Sequence, residues 1–497
     1  MLRRVSATPP AVVFQPVRRL TITQLLAMTL AMGAVLYVGA YLWLFSGYLA
    51  DDAYIHARIA RNLYAFGVPY YNPGEAVAGS SSVLWTLLLA AVFVVTGPSI
   101  AVLPWITAAS VLGLCGGLVV LLKPRLGFLA ATFTALLIVI VSTLHIAVLG
   151  METPLALLVW ILSLIAWRRQ QWGRVGFFAA LAYGVRPEFA VWIILCGLLA
   201  ETWPARWQVA RGAAGPLLAI ACYQWFFFGS LIPQTVRAKS IIYSLTFSEF
   251  LGQAGLPWGS AFMLVVLAAL LVKYVRSQPR WMIGLVGFPV VVGALYAIQH
   301  TFVFSWYTPA IWLPLMVACA LLVQRRTAYL LLVLALALFV PLTSSFWEAF
   351  GVLRGDQYAF REALASRRVE QYLTIGAGLA QQYPEATVMT AEIGGLGWVF
   401  PGRIIDAVGL VTPDALRYHP LSVPEQRSSH LIGAIPPQAV PEFKPELVVS
   451  MSLFSEAWRA AGTPGYHLLH EYPVVPPVEG QPSTVWGSDV THVWLRR

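Results

Sequence analysis

Long apolar runs follow one another along the first 346 residues, near 22–47, 101–122, 127–147, 153–167, 174–186, 190–200, 212–228, 257–275, 281–300, 307–323 and 327–346. Several are shorter than the roughly 20 residues that carry an α-helix across a bilayer, so their boundaries are soft. After Ser345 the pattern changes. Short apolar stretches, Ala386–Ala391, Arg403–Val408 and Leu447–Ser450, read as strands and alternate with helical patterns over 356–382 and 455–462. That alternation predicts a small open α/β sheet. The expected fold is a polytopic α-helical membrane body, residues 1–346, with a C-terminal soluble α/β domain, residues 347–497.

A further apolar run, 81–97, decides the topology. Arg3, Arg4, Arg18 and Arg19 precede the first run and set the N-terminus on the cytoplasmic side. If 81–97 spans, then Lys123, Arg125, Arg168, Arg169 and Arg174 land outside. If it lies at the interface they land inside, together with Arg206, Arg211, Lys273, Arg276, Arg280, Arg325 and Arg326. The second arrangement obeys the positive-inside rule, so 81–97 is predicted as a juxtamembrane or re-entrant helix. About eleven spans remain, an outer loop covers 48–100, and the C-terminal domain is extracytoplasmic. The first run, about 25 residues long, exceeds a signal-peptide core and carries no small-residue cleavage site.

Composition supports lipid as the solvent. Hydrophobic residues make up 59% and charged residues 11%, against roughly 25% charged in soluble domains. With a mean hydropathy of +0.72, this excludes a cytosolic enzyme, a nucleic-acid binder and a disordered chain. The net charge of +10 is the loop-end signal just described and calls for no nucleic acid. All four cysteines, Cys115, Cys196, Cys222 and Cys319, sit inside apolar runs, so no disulfide or metal framework is visible. The 22 acids are uneven: seven (Asp51, Asp52, Glu75, Glu152, Glu188, Glu201, Glu249) lie before residue 347 and 15 after it. In the topology above, six of those seven collect on the outer side, which marks a candidate site.

The outer loop concentrates the chemistry. Asp51 or Asp52 is a good N-cap, so a helix should begin there. On that helix Asp51, Tyr54, Ile55, Arg58 and Asn62 share one face, and His56 points away as a surface histidine. Asn72-Pro73-Gly74 is a turn, and Gly79 with three serines makes a second one. A carboxylate can deprotonate a sugar hydroxyl, and Arg58 and Arg61 can neutralise a phosphate with two parallel donors. Elsewhere, Arg237 and Lys239 could clamp a phosphate, while Arg186 and Glu188 suit a buried ion pair before a substrate contact. His300, Trp306 and Tyr307 end an apolar run, where an aromatic belt is expected and sugar stacking is the alternative. Gly394-Gly395-Leu396-Gly397 has the look of a phosphate-binding loop, a weak signal when alone.

Several of these motifs fall in a familiar order. Asp51-Asp52-Ala53-Tyr54-Ile55, Arg58, Arg61-Asn62-Leu63, Tyr71-Asn72-Pro73-Gly74-Glu75 and Ser82-Val83-Leu84-Trp85 resemble the first outer loop of GT-C glycosyltransferases. The likeness is greatest to the bacterial terminal arabinofuranosyltransferase family. Gly150-Met151-Glu152-Thr153-Pro154, Arg186-Pro187-Glu188, Phe228 to Lys239, Ile393 to Gly397 and Arg403 to Leu410 are similar to its later motifs.

The resemblance implies an inverting transferase in a bacterial plasma membrane, arabinofuranosyl transfer included. A polyprenyl-phosphate sugar would be the donor and a glycan, lipid or protein of the cell envelope the acceptor. It implies Asp51 as general base, Asp52 positioning it, and Glu152 shaping the acceptor side. Arg58, Arg61, Arg237 and Lys239 would receive the lipid phosphate. Tyr54, Glu188, Gln234, His300, Trp306 and Tyr307 are further contact candidates. No cofactor follows; a divalent cation held by Asp51, Asp52 and Glu152 is an option without fixed geometry. A transporter of polyprenyl-linked sugars is the alternative, although it should show inverted repeats and midplane charges.

Overall fold

In the computed structural model, the polar segment after the first helix folds as a helix of its own. The structure describes residues 22–242, 279–299, 302–322, 347–356, 358–360, 363–419, 421, 434–474 and 488–497. The predicted runs 257–275 and 327–346 lie outside the described residues.

The first helix, Ile22–Leu44, leads into the loop helix Asp51–Phe66, which ends at Gly67 in the left-handed conformation (φ 72°). Val83–Thr96 follows, 14 residues and about 21 Å long at 1.5 Å per residue. It lies along the loop helix, burying Trp85, Leu89 and Phe93. The body continues through Leu103–Leu126, Phe128–Ser142, Thr153–Arg168, Trp172–Val185, Ala190–Leu199 and Trp203–Phe228. Gln234–Ile242, Arg280–Ile298 and Pro309–Leu322 complete its described helices of eight residues or more.

Among the described residues, Ile100–Leu126 and Arg280–Ile298 are long and apolar enough to cross a membrane. Val83–Thr96, Phe128–Ser142, Thr153–Arg168, Pro187–Leu199 and Ser305–Leu321 are apolar but shorter. Packing between helices uses small residues and shared polar groups, as expected where lipid supplies no hydrophobic drive. A Cβ at Gly176 would stand 1.9 Å from the Val209 carbonyl oxygen, so Trp172–Val185 and Trp203–Phe228 touch backbone to backbone. The Ser163 hydroxyl donates to Val175 O at 3.0 Å and accepts from Trp192 Nε1 at 3.0 Å. Around it Trp160, Trp192, Phe189 and Phe288 form an aromatic core.

The C-terminal domain is a five-stranded sheet of order β2-β1-β3-β5-β4: β1 Val388–Thr390, β2 Ile404–Asp406, β3 Leu447–Met451, β4 Tyr466–Pro473 and β5 Val490–Arg496. β1, β2 and β3 are parallel and coincide with the three predicted strands. β5 and β4 add an antiparallel pair that the apolar pattern missed. β4 is largely exposed, and its Tyr-His-Leu-Leu-His-Glu-Tyr-Pro sequence offers no clean alternation. The predicted helix over 356–382 is seen as Ala363–Gln382, and that over 455–462 as Glu456–Ala460. The carboxyl ends of β1 and β2 lead into Gly394–Val399 and into the 406–411 turn, and both meet the membrane body.

Candidate functional site

The loop helix starts one residue earlier than a cap at Asp51 would require. Ala50 is the N-cap, and Asp51 and Asp52 occupy the first turn, where negative charge favours the helix dipole. Because successive residues are rotated by about 100°, the two carboxylates point to different surroundings.

The face carrying Asp51, Arg58 and Asn62 is buried against the C-terminal domain. Asp51 accepts the backbone N–H groups of Gly394 and Gly395, both at 2.9 Å. Burial raises its carboxyl above the ordinary range, opposed by Arg368 and by these two N–H groups. Arg58, 2% exposed, donates to the carbonyls of Tyr71 (2.9 Å), Phe400 (3.0 Å), Gly402 (3.3 Å) and Gly397. Its guanidinium also lies over the Tyr71 ring at 4.5 Å, and burial lowers its pKa. Arg61 donates to Trp398 O at 2.6 Å and stacks over that indole at 4.7 Å; burial brings its pKa down to about 10.

The glycines make the approach possible. A Cβ on Gly394 would stand 2.0 Å from Asp51 O, and one on Gly397 would stand 1.9 Å from the Tyr71 hydroxyl. The Gly-rich turn is thus the socket for the loop helix rather than an open phosphate loop. Asn72 extends the clasp: its Nδ2 donates to Ile404 O at 2.8 Å, and its Oδ1 accepts Ile404 N at 3.1 Å.

The expected substrate-facing stripe is therefore corrected. Asp51, Arg58 and Arg61 do not line the cavity, since their polar atoms are taken up between the loop helix and the C-terminal domain. Tyr54 is also turned away, buried in the apolar core, with its phenol pushed up to about 12 by that burial.

The other edge of the loop helix faces a cavity of about 300 Å³. Asp52 and His56, one turn apart, line it with Glu152, Arg186, Glu188, Lys239, Trp306 and Tyr307. Arg186 sits between two carboxylates, Nη1 at 2.8 Å from Glu152 Oε1 and Nε at 2.5 Å from Glu188 Oε1. It also donates to Thr153 Oγ1 at 3.1 Å and packs over the Tyr307 ring at 4.5 Å. The expected Arg186–Glu188 pair is present, and it belongs to the cavity wall. Lys239 Nζ donates to the Tyr307 hydroxyl at 2.6 Å.

His56 is buried, contrary to the surface position expected of it. Its Nδ1 lies 3.0 Å from Ser80 Oγ and its Nε2 3.8 Å from Glu152 Oε2. That Glu152 oxygen is buried and has no hydrogen-bond partner among the described residues. The i, i+4 spacing from Asp52 was the available signal for His56. For Ser80 and Arg186 no spacing rule pointed inward.

The remaining candidates divide. Gln234 Nε2 donates to Gly409 O at 3.1 Å, so it joins the body to the C-terminal domain. Arg237 is exposed and does not line the cavity, and His300 lies outside the described residues. Leu410 reaches the cavity from the C-terminal domain, on a turn built around Asp406. That carboxylate accepts the N–H groups of Val408 (2.9 Å), Leu410 (2.5 Å) and Val411 (3.0 Å). Burial raises its pKa to about 6 against the pull of those donors. Among the described residues no group of three His, Cys, Asp or Glu side chains converges to hold a metal ion. With Asp51 facing Gly394, the trio Asp51, Asp52 and Glu152 does not form one. All four cysteines are free.

Known proteins resemble the chain in three ways. A family model described as a domain of unknown function (DUF8728) matches residues 358–487, within the C-terminal domain. The terminal β-(1→2)-arabinofuranosyltransferase of Mycobacterium tuberculosis is 30% identical over 223 residues, 39% of this chain and 35% of that protein. The protein of the same name from Corynebacterium glutamicum is 28% identical over 229 residues, 39% of this chain and 33% of that protein. The matched stretches are thus about a third of the length of these curated relatives. The crystal structure of ArnT from Cupriavidus metallidurans bound to undecaprenyl phosphate superposes with a TM-score of 0.53 at 13% identity. That superposition covers 94% of this chain and 97% of that one, and the apo ArnT structure gives 0.51 at 14% identity. The chain shares the ArnT fold.

Proposed function

We propose that the chain is a membrane glycosyltransferase that takes a sugar from a polyprenyl-phosphate donor and inverts it onto a cell-envelope glycan, lipid or protein. Arabinofuranose is the sugar we favour, because both relatives matched by sequence are named arabinofuranosyltransferases. The observation that carries the reading is the cavity, where two carboxylates, Asp52 and Glu152, stand with Lys239 and with the Trp306 and Tyr307 rings. A carboxylate takes a proton from an attacking hydroxyl, a cation receives the departing phosphate, and an aromatic face stacks on a sugar. The ArnT structure of the same fold holds undecaprenyl phosphate, which supports a polyprenyl-phosphate donor here.

The roles follow from placement. Asp52 replaces Asp51 as the proposed general base, because its carboxylate faces the cavity. Of the four cations expected at the phosphate, Lys239 is kept as its proposed partner, because Arg58, Arg61 and Arg237 do not line the cavity. Arg186 sets the orientation of Glu152 and Glu188. As the glycosidic C–O bond breaks, its electron pair leaves with the lipid phosphate, and the acceptor oxygen bonds to the same carbon from the opposite side. We further propose about eleven spans, a cytoplasmic N-terminus and an extracytoplasmic C-terminal domain. The transporter alternative is not favoured, since the named relatives are transferases.

Purified protein is to be screened with radiolabelled polyprenyl-phosphate sugars and an arabinofuranosyl oligosaccharide acceptor. Label should move to the oligosaccharide from the arabinofuranosyl donor. If no donor gives transfer, the proposal fails.

A further inference from the structure

His56 and Glu152 approach each other across the cavity without bonding. The separation of 3.8 Å between Nε2 and Oε2 is too long for a hydrogen bond. Both atoms belong to buried side chains, and Oε2 has no partner among the described residues, although Oε1 of the same carboxylate is held by Arg186 at 2.8 Å. A buried carboxylate oxygen left without a donor is costly, so it calls for a polar partner, and a ligand hydroxyl is one that can supply the missing donor. A hydroxyl oxygen about 2.8 Å from each atom would bridge the two, donating its one proton to Oε2 and accepting from Nε2–H. The imidazole is held in place on its other side by Ser80 Oγ at 3.0 Å, and Ser80 is itself fixed by Ser82 N and Thr86 Oγ1.

We propose that Glu152 Oε2 and His56 Nε2 together form a subsite for one sugar hydroxyl, and that protonation of His56 closes it. This rests on the glycosyltransferase reading and adds to it a specificity element and a switch. The imidazolium would form its own ion pair with Oε2 across the same gap and occupy the oxygen that the hydroxyl needs. His56 is thereby a positioning residue, and the reacting proton remains with Asp52.

Four charged groups face the imidazole. Glu152, at the head of Thr153–Arg168, and Asp52, one turn earlier on its own helix, favour the charged form. Lys239 from Gln234–Ile242 and Arg186 from the turn after Trp172–Val185 oppose it. Burial is the largest influence and holds the imidazole below its ordinary value, so His56 is neutral at pH 7.5 and the subsite is open. Closure belongs to the acid side of about pH 6.5.

The test is binding by the full-length protein in detergent from pH 7.5 to 4.5. The probes are an arabinofuranosyl oligosaccharide and polyprenyl-phosphoryl arabinofuranose, which separate an acceptor hydroxyl from a donor hydroxyl. For the probe that brings the hydroxyl, affinity should fall at least about tenfold over the series, as loss of a charge-assisted hydrogen bond implies. His56→Gln, which places an uncharged amide near Nε2, should hold its affinity within about twofold throughout. His56→Asn, whose amide matches the Nδ1 edge beside Ser80, serves as companion should the glutamine disturb the helix, with the same flat profile expected. A wild-type affinity that does not change with pH overturns the proposal. So does an equal fall in the variants, or no binding of either probe. If the binding pattern holds while neither probe is turned over, the subsite stands and the transferase reading is what fails.

Discussion

Asp51 and Asp52 are neighbours in the chain and belong to two different regions. The clasp, built on Asp51, Arg58, Arg61 and Asn72, leaves few bonding positions open. Arg58 alone has four carbonyl partners, and both oxygens of Asp51 are filled by backbone N–H groups. The cavity, a turn of helix away, keeps Glu152 Oε2 without a described partner and His56 just beyond bonding distance of it. A polar group whose bonds are completed within the fold is spent on structure, whereas one with a bond to spare can meet a substrate. Charge and residue type do not distinguish the two regions. Satisfaction does.

Exchanging the neighbours tests that division most strongly. Asp52→Asn should slow transfer about 10²–10⁴-fold, the usual loss for a general base, while the thermal midpoint stays close to wild type. Asp51→Asn should do the reverse, keeping the rate of the folded protein within about threefold and lowering stability by about 1–2 kcal/mol. The amide keeps an oxygen for one of the two N–H groups, Gly394 or Gly395, but turns an NH₂ group toward the other donor. Initial rates paired with melting curves check both, and a rate collapse in the Asp51 variant would return the base to that residue.

Arg58→Ala comes next. Removing a buried cation from its carbonyl cage leaves those oxygens without donors and should cost about 3 kcal/mol of stability. Arg58→Lys should recover only part, since an ammonium cannot reproduce a planar five-donor group. Donor affinity measured on the folded fraction should be unchanged in both. A selective loss of donor affinity would restore Arg58 to the phosphate site.

The smallest effect is expected at the rim of the clasp. Arg403 Nε pairs with Glu75 Oε1 at 2.5 Å, but the arginine side chain is 47% exposed. Arg403→Ala should therefore change stability by no more than about 1 kcal/mol and leave transfer alone, as measured by the same melting curves. A larger loss would mean that the clasp extends further outward than its buried bonds indicate.

Much of this was legible in residue order, and what escaped has a common cause. The loop helix, the Asn72-Pro73-Gly74 turn and strands β1 to β3 follow from local capping, turn and apolar signals. Glu152, Glu188, Lys239, Trp306 and Tyr307 were named from residue type together with the family resemblance, and all five line the cavity. The rotation of the loop helix could not be read that way. Its face is chosen at Gly394 and Gly397, whose missing side chains leave room for the Asp51 backbone and for the Tyr71 and Arg58 side chains, an approach that only the folded chain reveals. His56 was misplaced for the same reason, since the stripe used to orient the helix was the docked one. β4 escaped because its pattern is polar on both faces and is held by pairing with β5.

The partners of Arg58 in the C-terminal domain lie 339 to 344 positions after it in the chain. At bacterial or eukaryotic ribosome speeds of about 5–20 residues per second, those carbonyls are made roughly 20–70 s after the arginine. During that wait the newly made segment carries a cation that the finished protein buries, and of its four carbonyl partners only Tyr71 O has been made. The loop helix must therefore be tolerated in an unfinished, hydrated state until the residues up to Gly402 have been made. A chain released before Gly397 would carry every described cavity residue except Leu410 and still lack the socket that sets Asp52 and His56 in register.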